Sequence, residues 1–182
     1  MNSSTSSTLI NRLQGIVMFK APVYKEVAED TTATNSALIV VIISVVVNII
    51  AGALYARERG IVAALLIAIL SAVVGWVIGS WLTAFVAKTF FKGDTNTGEM
   101  MRVLGHTYIF NVLAIIPVIG APIGSILVIV ANIIGIREAA GFDTTKAILT
   151  AIIVGVIVFV IIAVITGIIA VAFIGAAAVT AK

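Results

Sequence analysis

Residues 88–111 read Lys-Thr-Phe-Phe-Lys-Gly-Asp-Thr-Asn-Thr-Gly-Glu-Met-Met-Arg-Val-Leu-Gly-His-Thr-Tyr-Ile-Phe-Asn and form the longest polar interruption in a largely apolar chain. They hold the only histidine, three of the eleven basic residues and two of the eight acidic ones. Asn96 stands three residues before Glu99, a spacing that is typical of a capping box at a helix start. The stretch therefore predicts a polar connector that leads into a new helix.

The composition predicts a membrane protein. Of the 182 residues, 62% are hydrophobic and 10% are charged, whereas a soluble domain has about 25% charged residues. A soluble core of this size cannot hide so much apolar surface, so the solvent must be lipid. The absence of cysteine excludes disulfides and thiolate chemistry, and the single histidine excludes a histidine-rich metal site. The chain has no long basic run of the kind that indicates nucleic-acid binding. We also expect it to bind no cofactor.

The predicted fold class is all-α, a polytopic helical membrane bundle with five transmembrane helices and an N-terminal amphipathic helix. We expect spans at about residues 36–56, 61–87, 102–119, 123–136 and 147–170, which together form a membrane domain over residues 36–181. Residues 1–35 form a cytoplasmic arm. Apolar residues at helical spacing predict a helix over residues 9–19, and Pro22 suits the first turn of another over residues 23–28. The arm lies on the membrane surface, packs on the bundle, or does both. It shows no signal-peptide pattern.

Turn signals set the boundaries between the spans. Residues 57–60 predict a tight charged loop, and two prolines in residues 117–122 predict a turn rather than one kinked helix. Gly141 suits a helix end, and Asp143 or Thr144 suits the start of the next helix. Residues 147–181 would make about 52 Å of helix. This length overshoots one crossing, so we expect fraying beyond Gly167 or Gly175.

The distribution of basic residues predicts the orientation. Five spans place eight Lys and Arg residues on the side of the N-terminus and three on the other side. The positive-inside rule then makes the N-terminus cytoplasmic and puts the C-terminus on the opposite side. If residues 117–122 were only a kink, the split would be six against five, so the charge count favours the turn.

Small residues recur every fourth position along the second predicted span, at Ser71, Gly75, Gly79 and Thr83. Such a stripe lets another helix approach closely. It is either a packing seam within the chain or a seam between two copies. Trp81, near the end of this span, suits the membrane interface better than Trp76 does.

Charged residues on the cytoplasmic side form a candidate cluster for a protein partner or a lipid headgroup: Glu99, Arg102, Arg137, Glu138 and Lys146. Glu99 and Arg102 lie one helical turn apart and can pair. The cluster would hold the central helix to the last loop, and the alternative is a set of solvated loop charges.

His106 is the remaining candidate for ligand binding, as an axial ligand to a chlorin or haem. The alternative interpretation is a polar residue that hydrogen-bonds to Tyr108, Asn111 or the backbone at the mouth of the third span. Asn48, Asn111 and Asn132 lie in apolar runs and are expected to form hydrogen bonds between helices.

Three groups of residues resemble the prokaryotic branch of the Yip family, the Ypt/Rab-interacting membrane proteins. They are Phe19-x-x-Pro22 with Tyr24 and Asp30, then Phe90-Phe91-Lys92-Gly93 with Glu99-x-x-Arg102-Val-Leu-Gly105, then Gly135-Ile-Arg137 with Gly141-Phe-x-Thr144-x-Lys146-Ala147. In eukaryotes the family is associated with recruitment of small GTPases through a long cytosolic N-terminal domain. About 35 residues precede the first predicted span here. The resemblance implies a protein of the prokaryotic cell membrane with a cytosolic N-terminus and partner binding.

We expect a non-enzymatic protein, because no nucleophile–base pair can be identified and the clearest spans contain no acidic or basic residue of the kind that marks a proton path, His106 being the nearest case. It would act through protein–protein or protein–lipid interaction, in membrane organisation or as an accessory subunit. Its partners would be membrane lipids and other membrane proteins or a second copy. The alternative is a small transporter or channel for lipid or another substrate. A transporter should show a polar-lined cavity that reaches the midplane, whereas a scaffold should show a closed bundle with an exposed small-residue seam.

Overall fold

The computed structural model describes residues 3–55 and 61–180. Within these ranges the regular elements are all helical: α1 Ser3–Val17, α2 Ala21–Glu29, α3 Ala33–Tyr55, α4 Ile61–Val73, α5 Gly79–Phe91, α6 Thr97–Thr107, α7 Gly120–Ala140 and α8 Thr144–Thr180. A π-helical turn, Val74–Ile78, joins α4 to α5, and a 3₁₀ segment, Tyr108–Ile115, follows α6. The all-α prediction is confirmed for these residues. The predicted loop at residues 57–60 and the basic residue Lys182 lie outside the described ranges.

Four stretches of the described residues are long and apolar enough to cross a membrane: Ala33–Gly52, Leu65–Phe91, Gly120–Ala140 and Thr144–Ala172. Large apolar side chains on their outer faces remain exposed, for example Phe159 at 71% and Ile126 at 62%. Such faces belong against lipid rather than water. The structure therefore has the form of a helical membrane bundle, with four helices of spanning length by this criterion.

The central segment, residues 97–115, differs in its helix type from the predicted third span. The prediction of one continuous α-helix over residues 102–119 is wrong, because α6 ends at Thr107 and a 3₁₀ segment follows it to Ile115. Hydropathy cannot distinguish an α-helix from a 3₁₀ helix, because the same run of apolar residues can form either. Ile116 is extended, as the residue before a proline prefers, and α7 begins at Gly120 with Pro122 in its first turn. The predicted turn is confirmed, and the kinked-helix alternative is wrong. The fourth predicted span, residues 123–136, was too short, since α7 has 21 residues.

The central segment nevertheless runs along α7 from one end to the other. The two run antiparallel, and the Asp94 amide donates to the Ala140 carbonyl at 3.0 Å at one end. Further pairs follow to the other end: Val103 with Gly135, Thr107 with Asn132, Phe110 with Gly124 and Leu113 with Gly120. The extra rise of a 3₁₀ segment, about 2.0 Å per residue, helps so short a segment reach that far.

The second predicted span, residues 61–87, is interrupted and ends later than expected. The π turn is the interruption, and it buries Trp76, whose Nε1 donates to the Met101 carbonyl at 2.7 Å. The helix then continues to Phe91, where Lys92 adopts a left-handed conformation (φ 57°) and its amide donates to the Ala87 carbonyl. Trp81 stays 53% exposed and stacks on Phe85.

The last two helices are separated by the predicted signals. Gly141 ends α7 with a φ of 65°, and the Asp143 carboxylate accepts a hydrogen bond from the Lys146 amide at 3.0 Å at the start of α8. Helix α8 is longer than the expected span at residues 147–170. It continues through Gly167 and Gly175 to Thr180, so the expected fraying is not observed.

The N-terminal arm, α1 with α2, packs on the bundle. Ile16, Tyr24 and Val27 are fully buried and belong to one core with residues of α6 and α7. Pro22 lies in the first turn of α2, as predicted. The arm therefore lies at the end of the bundle where α6 starts and α7 ends.

Candidate functional site

Arg102 connects the central helix to the arm. Its side chain is buried, Nε donates to the Ala28 carbonyl at 2.9 Å, and Nη2 donates to the same oxygen. Ala28 lies in the last turn of α2, where carbonyls lack helical partners and a positive charge is favourable. Among the described residues Arg102 forms no ion pair with Glu99, in contrast to the prediction.

The other members of the predicted cluster have local partners. Glu99 completes the capping box, since its amide donates to Asn96 Oδ1 at 3.0 Å and its carboxylate accepts from the Asn96 amide at 3.2 Å. Arg137 pairs with its neighbour Glu138 at 2.8 Å. Lys146 lies 3.7 Å from Asp143 in an exposed pair, which contributes little. Of the five residues predicted to form one cluster, Arg137 and Glu138 are the two that form an ion pair with each other among the described residues.

Two of these acids, Glu99 and Glu138, share a pocket of about 290 Å³ at the arm end of the bundle. Glu99 and Glu138 line it together with Glu29, Asp94 and one cation, Lys25. The pocket is bordered by the end of α2, the start of α6 and the end of α7. Its acidic lining does not suit an anionic headgroup.

A second ionic network lies within the arm. Arg12 Nε is 3.1 Å from Glu26 Oε1, and Arg12 Nη2 contacts Asp30 Oδ2. Hydrogen bonds from Thr32 and then from Arg12 lower the pKa of Asp30 to about 2. Burial acts to lower the pKa of Arg12, but the two carboxylates outweigh it and raise that pKa. Burial also raises the pKa of Tyr24, whose hydroxyl donates to the Ile16 carbonyl at 2.9 Å.

His106 is fully buried, and both of its ring nitrogens contact protein atoms. Nδ1 lies 2.7 Å from the Arg102 carbonyl, and Nε2 lies 3.0 Å from Ser36 Oγ. The first contact matches the expected backbone hydrogen bond, whereas Ser36 takes the place expected for Tyr108 or Asn111. No ring nitrogen is left to coordinate a chlorin or haem.

The small-residue stripe faces the interior of the same chain. A Cβ built on Gly75 would lie 2.6 Å from the Tyr108 hydroxyl, and one on Gly79 would lie 3.8 Å from a Val158 methyl. Thr83 is buried and donates to the Gly79 carbonyl at 2.7 Å. Ser71 lines a cavity inside the bundle. The close approach that the stripe permits is therefore used by helices of this chain.

Two partly open cavities lie between the helices, one in each half of the bundle. The arm-side cavity, about 420 Å³, lies among α5, α6, α7 and α8 and is lined mainly by aliphatic side chains such as Ile136 and Ile148. The far-side cavity, about 590 Å³, lies among α3, α4, the 3₁₀ segment and α7. Four lining residues are common to both cavities and form what we term the neck: Gly75, Leu104, Asn132 and Val158.

The lining of the two cavities is polar in places but carries no charged side chain. Asn48, Tyr108, Asn111 and Asn132 all line the far-side cavity. Asn132 Oδ1 accepts a hydrogen bond from Thr107 at 2.6 Å across α6 and α7, as expected. Asn48 bonds instead to the Ser44 carbonyl of its own helix. Among the described residues, the Asn111 side chain and the Tyr108 hydroxyl have no hydrogen-bond partner.

Among the described residues, no group of three or more acidic or histidine side chains could hold a metal ion. The sequence gives no signal for Val158, which is an ordinary aliphatic residue in an apolar run. Tyr108 has only the weak signal of a hydroxyl within such a run, and its place opposite Gly75 is a matter of packing.

The Yip1 domain family model matches residues 17–166, which is most of the chain. The match covers the arm from the end of α1 and reaches well into α8. A search of proteins with curated descriptions and a search of solved structures each find no significant match.

Proposed function

Because the chain belongs to the Yip1 domain family and is an integral membrane protein, we propose that it is non-enzymatic and acts by binding membrane lipid inside its helical bundle. One observation carries this proposal: two cavities lie between the helices, and the four neck residues line both of them. Their volumes, about 420 and 590 Å³, lie in the range of about 300–1,000 Å³ that is common for ligand pockets.

The lining of these cavities supports a lipid ligand in particular. It is mainly aliphatic, with a few neutral polar groups at defined positions. The helices around it have exposed apolar outer faces, so the cavities lie within the bilayer and a ligand reaches them from lipid. Interaction with other membrane proteins or with a second copy remains a prediction, and the inward-facing stripe argues against a seam between copies at that place.

The proposal includes five crossings of the bilayer. The central segment is too short and too polar to count as a span by helix length, but it is buried among other helices rather than exposed to lipid. Polar groups are tolerated at membrane depth when protein surrounds them. Since this segment runs along α7 from end to end, the N-terminal arm and the end of α8 lie on opposite sides. The excess of basic residues on the side of the arm favours a cytoplasmic arm, in a prokaryotic cell membrane.

Retention of lipid by the purified protein tests this function. Val158→Trp places an indole at the neck, whereas Val160→Trp adds the same group on the outer face of the same helix, where Val160 is 53% exposed. We expect wild type and Val160→Trp to carry bound lipid in native mass spectrometry after release from nanodiscs, and Val158→Trp to lose most of it. Equal lipid retention in all three proteins would overturn the proposal.

Lipid movement between leaflets is a second candidate, because the two cavities occupy opposite halves of the bundle and share the neck. The polar side chains of the far-side cavity, Asn48, Tyr108, Asn111 and Asn132, also support this candidate. Reconstituted vesicles with a fluorescent lipid in one leaflet would test it. Transfer above the protein-free rate, abolished by Val158→Trp and not by Val160→Trp, is expected for a transporter, and binding without transfer is expected for a static lipid-binding protein.

A further inference from the structure

We propose that the cavities select lipids whose polar group is uncharged and forms hydrogen bonds, such as a diacylglycerol or a long-chain isoprenoid alcohol. This inference rests on the proposed function and names the class of its ligand. The polar group would lie in the far-side cavity beside Tyr108 and Asn111, and an apolar chain would extend through the neck into the arm-side cavity.

The first argument is the absence of charge. No acidic or basic side chain lines either cavity within the described part of the chain. A phosphate moved from water into such a site would lose its hydration and gain no counter-charge, which costs several kcal/mol. A hydroxyl or ester needs only hydrogen-bond partners, and the cost of its burial is then offset.

The second argument is that suitable hydrogen-bond partners are present. The Tyr108 hydroxyl can donate and accept, and the Asn111 amide can do both. Neither side chain has a partner among the described residues, and both line the same cavity. Asn132 adds its Nδ2 group, because only its Oδ1 is bonded to Thr107. Polar groups at membrane depth without a partner are costly, so a ligand that pairs with them gains binding energy.

The third argument concerns the basic residues that could otherwise recruit a phosphate. Arg102 is bonded to the Ala28 carbonyl, Arg12 to two carboxylates and Arg137 to Glu138. All three lie at the arm end of the bundle, away from the far-side cavity. No cation of residues 3–55 and 61–180 lines either cavity, so this part of the bundle offers no counter-charge to an anionic phospholipid.

The arm-side cavity suits the apolar chain. Its lining includes Ile129, Ile133, Ile152 and Val156, and it shares Leu104 and Val158 with the far-side cavity. One ligand that passed through the neck would bury its chain against aliphatic groups and bring its polar end to Tyr108. This placement predicts that changes at the two ends affect binding differently.

Photocrosslinking in nanodiscs tests the selectivity. The probes are a diacylglycerol and a phosphatidylglycerol that carry the same diazirine-bearing acyl chain. We expect the diacylglycerol to label α7 and α8 at least tenfold more than the phosphatidylglycerol does. Tyr108→Phe and Asn111→Leu each remove one hydrogen-bonding group and should reduce diacylglycerol labelling roughly five- to tenfold. Tyr24→Phe removes a buried hydroxyl from the arm and should leave labelling unchanged. Unlabelled diacylglycerol and unlabelled polyprenol are then compared as competitors of the diacylglycerol probe. The stronger competitor identifies which of the two lipid classes the cavities prefer.

The possible results separate the two proposals. Equal or stronger labelling by phosphatidylglycerol within the bundle would overturn the selectivity and leave lipid binding intact. Loss of labelling in Tyr24→Phe as large as in Tyr108→Phe would also overturn it, because the effect would then be structural. Absence of interior labelling by either probe would overturn both the selectivity and the proposed function.

Discussion

Replacement of Arg102 by methionine should release the N-terminal arm from the bundle. The buried guanidinium forms two hydrogen bonds to the Ala28 carbonyl, one of 2.9 Å. A hydrogen bond from a charged donor contributes about 1.5–3 kcal/mol, and a buried carbonyl left without a partner costs about 1–3 kcal/mol. Part of this free energy is offset, because the substitution also removes a buried charge. We therefore expect the free energy that holds the arm to the bundle to fall by about 2–4 kcal/mol. At about 1.4 kcal/mol per tenfold, arm opening becomes roughly 30- to 900-fold more frequent.

Hydrogen exchange in nanodiscs measures this opening directly. The amides of α2 should lose protection by that factor in Arg102→Met, while those of α7 near Ala131 should not. Arg102→Lys keeps the charge but not the forked geometry and should fall between the two. Lys88→Met removes an exposed cation on the same side and serves as the control. If α2 of Arg102→Met exchanges within threefold of wild type, the role assigned to Arg102 is wrong.

Two further outcomes follow from the packing and the charges. Gly105→Ala would place a Cβ 2.7 Å from both the Ala37 Cβ and Trp76 Nε1. We expect the free energy of unfolding to fall by about 1–3 kcal/mol. The melting temperature in nanodiscs should then fall by about 2–12 °C. Gly155→Ala, with no atom within 4 Å of the new Cβ, is the matched control, and an equal fall in both would refute the packing argument. The depressed pKa of Asp30 means that its contribution to arm docking is present above the ordinary pKa of 3.8 and is lost as the pH falls toward about 2. The distance between spin labels on the arm and the bundle should lengthen between pH 4 and pH 2, and Asp30→Asn should show the lengthening at neutral pH; a distance that does not depend on pH in wild type would contradict this.

Local signals in the sequence were reliable where the chemistry is local. Asn96 and Glu99 form the predicted capping box, and Gly141 ends α7 as predicted. The turn after the central segment follows from Pro117, since a proline disfavours helical geometry at the residue before it and lacks the amide hydrogen that would continue the helix. In each case the determining atoms lie within a few residues of one another.

The candidate site could not be predicted in the same way, because its contacts join distant parts of the chain. Arg102 bonds to a carbonyl 74 residues away rather than to Glu99 one turn before it. Trp76, which lies in the π turn, donates a hydrogen bond to the Met101 carbonyl, 25 residues away. The 3₁₀ segment packs against Gly124, which lets α7 approach the Phe110 carbonyl. Hydropathy and helical period carry no information about such pairings.

The account depends most on residues 97–115 crossing the bilayer, because this segment contributes residues to both cavities. The chain has no native cysteine, so single cysteines at Asp94 and Ile119, both exposed, can report the two ends. In intact cells, a membrane-impermeant maleimide should label Ile119→Cys, and it should label Asp94→Cys only after the cells are permeabilised. Labelling of both positions from the same side would contradict five crossings and the cavities built on them.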